Sequence, residues 1–234
     1  MSGRRRGRWA LVQDRVLDER ELATRTLARD DPLWPGQLAT FSALVLYLAL
    51  PPQLTIGPNW LVPAAEAAAL GTLIFAARAG AEMPLRREIA IALVLIATLA
   101  NLIALGFLVH YLVAGGKAVA TDLIGGGALI WMTNLALFAV LYWELDRGGP
   151  VRPRAARPRL APDFLFPQMT VDGFRDWTPR FLDYLYVSLT NQTAFSPTDT
   201  MPLTARTKVL MGIQGSAALI TVGVVLARAV NLLG

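Results

Sequence analysis

Cysteine is absent from the 234 residues, and His110 is the lone histidine. Thiol catalysis, disulfide scaffolds, cysteine-bearing metal sites and multi-histidine metal sites are excluded together. Any serine nucleophile would have to pair with His110. Ser216 invites that reading, but its surroundings, Gln214-Gly215-Ser216-Ala217, lack the Gly-x-Ser-Gly pattern of intramembrane serine proteases. No glycine-rich phosphate loop and no nucleic-acid module appears, and Gly125-Gly126-Gly127 reads as packing at the head of an apolar segment. The expectation is a non-enzyme without metal, cofactor or nucleic-acid partner.

Charge is scarce as well. Only 17% of the residues are charged whereas 54% are hydrophobic, and the mean hydropathy is +0.45. Apolar residues come in long blocks, which excludes an ordinary soluble domain and implies an all-α, multi-pass membrane protein. About 20 apolar residues cross a bilayer core as a helix. Five stretches qualify: Gln37 to Leu54, Asn59 to Ala79, Glu88 to Val113, Thr121 to Trp143 and Thr207 to Leu233. Pro51, Pro52, Gly57 and Pro58 separate the first two into a helical hairpin, with Trp34 and Trp60 near the headgroup level.

The apolar blocks divide the chain into an N-terminal segment (1–35), a four-helix membrane domain (36–146), a linker (147–176) and a C-terminal unit (177–234). In the first segment Trp9, Val12, Val16, Ala23 and Leu27 recur at helical spacing among Arg15, Arg20, Arg25 and Arg29. That pattern suits a basic amphipathic helix on the membrane surface or docked on the protein's own loops. No cleavable leader is expected, because the residues after the first arginines stay charged up to Asp31. The linker carries Arg147, Arg152, Arg154, Arg157 and Arg159 between Pro150, Pro153, Pro158 and Pro162, an extended topogenic composition. Arginine excess before the first span, at Arg78, Arg86 and Arg87, and after the fourth puts these segments in the cytoplasm.

The C-terminal unit holds the candidate site. Thr178-Pro179 is a helix start, and Phe181, Leu182, Leu185, Tyr186 and Leu189 make one apolar face of about three turns ended by Pro197. A polar turn follows, with Thr190, Thr193, Ala194, Phe195, Ser196, Pro197, Thr198 and Asp199, and then the last span. The negative end of the short helix faces this turn, which favours cations modestly. Irregular backbone at membrane depth needs protein or water around it, which argues for an oligomer.

Asp199, Pro202, Thr204 and Lys208, followed by Ala227, Arg228 and Val230, resemble the pore region of potassium-channel-type proteins. That family places Asp-x-x-Pro-x-Thr after a Thr-Val-Gly-Tyr-Gly filter. The resemblance covers about a fifth of the chain and implies a re-entrant pore-like helix and loop, a homotetramer and passage of monovalent cations. The filter itself is not kept. Ser196 and Thr198 stand at the glycine positions, Pro197 at the tyrosine and Phe195 at the valine, and these residues oppose a carbonyl ladder. Four preceding crossings would bring the loop in from the cytoplasm, as in glutamate-receptor pores rather than potassium channels. A non-conducting membrane scaffold is the competing reading.

Among the other polar residues, Glu66 is the one carboxylate well inside a span, facing a partner or snorkelling, and Asn134 and Gln214 are intramembrane amides. Amides there more often join helices than carry substrates. Gly212 and Ser216 form a small-xxx-small face, and Asp199 is expected to pair with Arg206, Lys208 or turn amides. The Ala/Arg/Leu-rich composition points to a bacterial cell membrane with lipids and further copies of the chain as partners. With five spans, reporter fusions should find the N-terminus cytoplasmic and the C-terminus outside; both termini in the cytoplasm would overturn the count.

Overall fold

The computed structural model describes residues 32–58, 60–64, 67, 71, 83–113, 120–150, 161–172, 174, 177–193 and 199–233. The N-terminal arginine-rich segment, most of the second expected span with Glu66, the linker residues 151–160 and Ala194 to Thr198 lie outside them. The described residues are mostly helical. Helix α1 is Trp34–Leu48, α2 is Met83–Val113, α3 is Ala120–Leu145, α4 is Phe181–Thr193 and α5 is Ala205–Leu233. Two short strands, β1 (Phe164–Leu165) and β2 (Met201–Pro202), pair antiparallel with Phe164 opposite Pro202.

Among the described residues three segments are long and apolar enough to cross a membrane: Arg87–Val113, Asp122–Gly148 and Ala205–Val230. They fit a membrane-embedded protein, and they correspond to the third, fourth and fifth expected spans. The first expected span is shorter than its apolar run. Its helix has 15 residues, about 22 Å against a bilayer core of about 30 Å. Pro51 and Pro52 stop it, since a proline restricts the residue before it and lacks an amide hydrogen. The chain continues instead as a 3₁₀ turn over Pro52–Leu54.

Helix α3 is the centre of the bundle, packed against α1, α2, α4 and α5. Its residues Leu137 to Glu144 are all buried. Contacts at its two ends fix the directions of the others. Gly36 of α1 lies against the Trp143 ring, and Leu54 lies against Gly126 near the other end of α3. Arg87 of α2 donates from Nε and Nη2 to the Glu144 carbonyl at 3.2 and 3.0 Å, whereas Leu108 approaches Gly127. Both α1 and α2 therefore run antiparallel to α3. An arginine at the C-terminal carbonyls of a helix both satisfies an orphan acceptor and meets the negative end of the dipole. The end of α3 is turned by Arg147, Gly148 and Gly149 at φ 49°, 84° and 81°, the left-handed region in which glycine is unstrained.

Helix α4 buries part of the apolar stripe its sequence displays, Phe181 and to a lesser extent Leu185, and exposes the rest. Phe181, Tyr184, Val187, Ser188 and Gln192 point inward, whereas Leu182 and Tyr186 are 72% and 61% exposed. Ser188 and Gln192 turn inward because each finds hydrogen-bond partners on α3 there. The helix start also differs from the expected Thr178-Pro179. It is closed at Arg180, whose N–H donates to Asp183 Oδ2 at 2.6 Å in the manner of a capping box.

The glycine run in α3 sets how closely its neighbours approach. A Cβ on Gly126 would stand 2.4 Å from Leu54 Cδ1, and one on Gly127 would stand 2.3 Å from Val225 Cγ2. Gly127→Leu is expected to lower unfolding stability by about 1–3 kcal/mol through overpacking. The same change at Gly106, which has open space around it, should have little effect. Reversible unfolding of the two variants in mixed micelles checks the difference.

Candidate functional site

Helix α4 and helix α5 start at the same end of α3. Tyr184 in the first turn of α4 donates its hydroxyl to Asp146 at 2.6 Å. One turn on, Ser188 donates to the Leu135 carbonyl at 2.8 Å. After another turn Gln192 Nε2 donates to the Trp131 carbonyl at 2.6 Å. The tip of α4 thus lies about 21 Å along α3 from Leu145, roughly half-way down the bundle. Helix α5 begins again at the first end, where Arg206 Nη2 donates to the Leu145 carbonyl at 3.3 Å. From there α5 runs past Tyr142 and Asn134 to Gly127.

At the tip, side chains from α3, α4 and α5 form one buried polar network. Gln214 of α5 is fully buried and has the most partners. Its Oε1 accepts from Tyr142 at 2.7 Å and from Asn191 Nδ2 at 2.8 Å. Its Nε2 donates to Ser188 Oγ at 2.6 Å, to the Ser188 carbonyl at 3.1 Å and to Gln192 Oε1 at 3.3 Å. Asn134 Nδ2 donates to Gln192 Oε1 at 2.9 Å and to the Gln214 carbonyl at 3.3 Å. Asn191 Nδ2 also reaches the Met211 carbonyl at 3.0 Å. Asn134 Oδ1, buried with its side chain, has no hydrogen-bond partner among the described residues. All the side chains in this network are neutral.

Several residues anticipated from the sequence are separated by the fold. Asn134 and Gln214 come together in the network. Thr190 and Thr193 sit on the tip of α4 but donate their hydroxyls back to their own helix, Thr190 to the carbonyls of Tyr186 and Val187 and Thr193 to that of Leu189. Asp199 is exposed, and Arg206, one of its anticipated partners, is engaged by Asp163 instead. Glu66 and the filter-like residues Ala194, Phe195, Ser196, Pro197 and Thr198 lie outside the described residues. Tyr142, Ser188, Asn191 and Gln192 complete the network without having been singled out. The spacing of Ser188, Asn191 and Gln192, which puts three polar groups on one helix face, was the available signal.

A second polar cluster lies at the end where α4 and α5 start. Asp163, 1% exposed, accepts from Thr204 Oγ1 at 2.6 Å and from Arg206 Nε at 2.8 Å, and Arg206 Nη2 reaches its other oxygen. Its N–H donates to Asp146 Oδ1 at 2.6 Å. Among the described residues no group of three or more histidine or acidic side chains is arranged to hold a metal ion. In comparisons with known proteins no family model, curated protein or solved structure matches the chain, so its chemistry is read from this geometry.

Replacing Gln214 by leucine removes the acceptor of Tyr142 and Asn191 and the donor to Ser188 and Gln192 at once. Interhelical hydrogen bonds in membranes contribute about 0.6 kcal/mol each, and orphaned buried partners cost more. Gln214→Leu is therefore expected to lose about 2 kcal/mol of unfolding stability. Ser216→Ala, on the exposed side of α5, should be neutral in the same micelle-based titration.

Proposed function

We propose that the protein is a multi-pass membrane protein in which α4 and the loop after it form a re-entrant hairpin, and that a homo-oligomer of it passes monovalent cations without selecting potassium. The observation that carries this reading is the geometry of α4. It shares its starting end with α5, its tip stands half-way along α3, and residues 199–204 are back at the starting end, where β2 pairs with β1. A helix C-terminus leaves unsatisfied carbonyls and the negative end of its dipole at that depth, a setting that favours a cation or water over an anion.

The ends of the described segments support five crossings. Leu54 and Val62 pack with the cluster around Leu108 and Leu123, whereas Arg87 meets Glu144 at the opposite end of α3. Val62 and Arg87 therefore stand at opposite ends of α3, the placement that an odd number of crossings between them requires. Arginine excess orients the shared start of α4 and α5 to the cytoplasm, so the hairpin enters from inside. Helix α5 is the least enclosed of the three spanning segments. Beside it an apolar groove of about 470 Å³ runs between α2 and α5, lined by Leu102, Leu105, Val209, Gly212, Ile213 and Ser216. Such a face suits a second copy of the chain.

One observation favours the scaffold reading. The tip amides bond one another, and the hydroxyls of Thr190 and Thr193 donate to their own helix. Reconstitution in liposomes decides between the two. Potassium and sodium fluxes of similar size from the oligomeric fraction are expected. A strong potassium preference would refute the unselective pore, and an intact oligomer with no flux of either ion would establish the scaffold.

A further inference from the structure

The two polar clusters that fasten α4 share no residue. At the tip, Ser188, Asn191 and Gln192 are bonded to Trp131, Asn134, Leu135, Met211 and Gln214. At the start, Tyr184 is bonded to Asp146, and Asp146 to Asp163. Between them on α4 Val187, which has no polar side-chain atom, is buried, and the Tyr142 ring, whose hydroxyl belongs to the tip network, meets the outer segment only through an apolar edge contact with Phe164.

Asp163 stands at the junction of the outer cluster and uses every polar group it has. The N–H goes to Asp146 at 2.6 Å, and the carbonyl accepts from Leu203 N–H at 2.8 Å and from the Thr207 hydroxyl at 3.4 Å. The carboxylate accepts from Thr204 and Arg206. The segment Pro162 to Thr170 is thereby tied to α3 on one side and to the β2–α5 junction on the other. Phe164 and Phe166 seat it by ring contacts with Tyr142, Tyr184 and Trp177. Asp163 is buried, but the Arg206 side chain is 54% exposed, so the ion pair can be approached from one side.

We infer that Pro162 to Thr170 is a latch: the line Tyr184–Asp146–Asp163–Arg206 holds the start of α4 and the start of α5 to α3, and it opens independently of the network at the tip. Release of the latch leaves α4 pinned at Gln192 and free to pivot at Tyr184. The inference concerns how the chain is fastened and stands whether or not the protein passes ions. Removing one member of a buried charged cluster leaves the others uncompensated, so the latch should fail as a unit.

The native chain has no cysteine, so paired spin labels can be introduced without background. One pair, Val171→Cys with Lys208→Cys, reports the latch segment against α5; a second, Leu189→Cys with Val222→Cys, reports the α4 tip against α5. In the detergent-solubilised full chain, Asp163→Asn should broaden the first distance distribution and leave the second narrow. Gln214→Leu should broaden the second and leave the first narrow. Should Asp163→Asn not fold, Thr207→Val, which removes one hydroxyl from the same junction, should give a smaller broadening of the first pair alone. An unchanged first pair in the outer-cluster variant, or both pairs broadening together in either cluster's variant, would overturn the latch.

Discussion

Carbonyl groups of α3 are the surface on which α2, α4 and α5 are hung. Asn101 and Arg87 of α2, Ser188 and Gln192 of α4 and Arg206 of α5 each donate to one of them, at Ile130, Glu144, Leu135, Trp131 and Leu145 in turn. In water such contacts would compete with solvent and contribute little. In an apolar surrounding the donor has no alternative partner, so the same contact decides which face of each helix turns inward. Apolar packing cannot make that choice by itself, because lipid tails are as apolar as leucine.

Those five contacts have two kinds of acceptor. The carbonyls of Ile130, Trp131 and Leu135 lie in the middle of α3, where each also accepts along its own helix, and their donors are neutral. Those of Glu144 and Leu145 lie in the last turn, where helix carbonyls are unsatisfied and the dipole is negative, and their donors are arginines. Neutral amides and a hydroxyl therefore fasten the interior of the bundle, and charged groups fasten the end. Among the described residues that end gathers Asp146, Asp163, Arg147 and Arg206, which compensate one another, and Arg87 beside the buried Glu144. Close approach on the remaining sides of α3 depends on Gly126 and Gly127, where a methyl group would collide with Leu54 or Val225. Packing of this kind tolerates few changes in volume.

Much of this was legible in the chain before any coordinates. The apolar runs around Leu99, Phe138 and Ile220 mark three helices long and apolar enough to span a membrane, because length and composition suffice to recognise them. The short helix before the polar turn was readable from Phe181, Leu185 and Leu189. Asn134 and Gln214 stood out as isolated amides in apolar surroundings. The inward face of α4 was legible in part: Phe181 and Leu185 of the expected stripe face the core, but Leu182 and Tyr186 of the same stripe are exposed and Ser188 and Gln192 turn inward instead. The break at Pro51 and Pro52 was legible, but hydropathy, which continues through Leu50 and Leu54, placed the end of the first helix a turn or more beyond its actual end at Leu48.

Local properties, then, were determined by the sequence alone: which segments are helical, which are long and apolar enough to span, and where prolines and glycines interrupt them, because each depends on residues within a few turns. Partnerships between distant residues were decided by tertiary structure. Asp163 rather than Asp199 holds Arg206, although Asp199 is 7 residues from Arg206 and Asp163 is 43. Gln214 meets Tyr142 across 72 residues. Nothing in local spacing distinguishes one carboxylate from the other. The choice follows from where β1 pairs with β2 and where α4 and α5 start on α3, which brings Asp163 to the first turn of α5 and leaves Asp199 exposed.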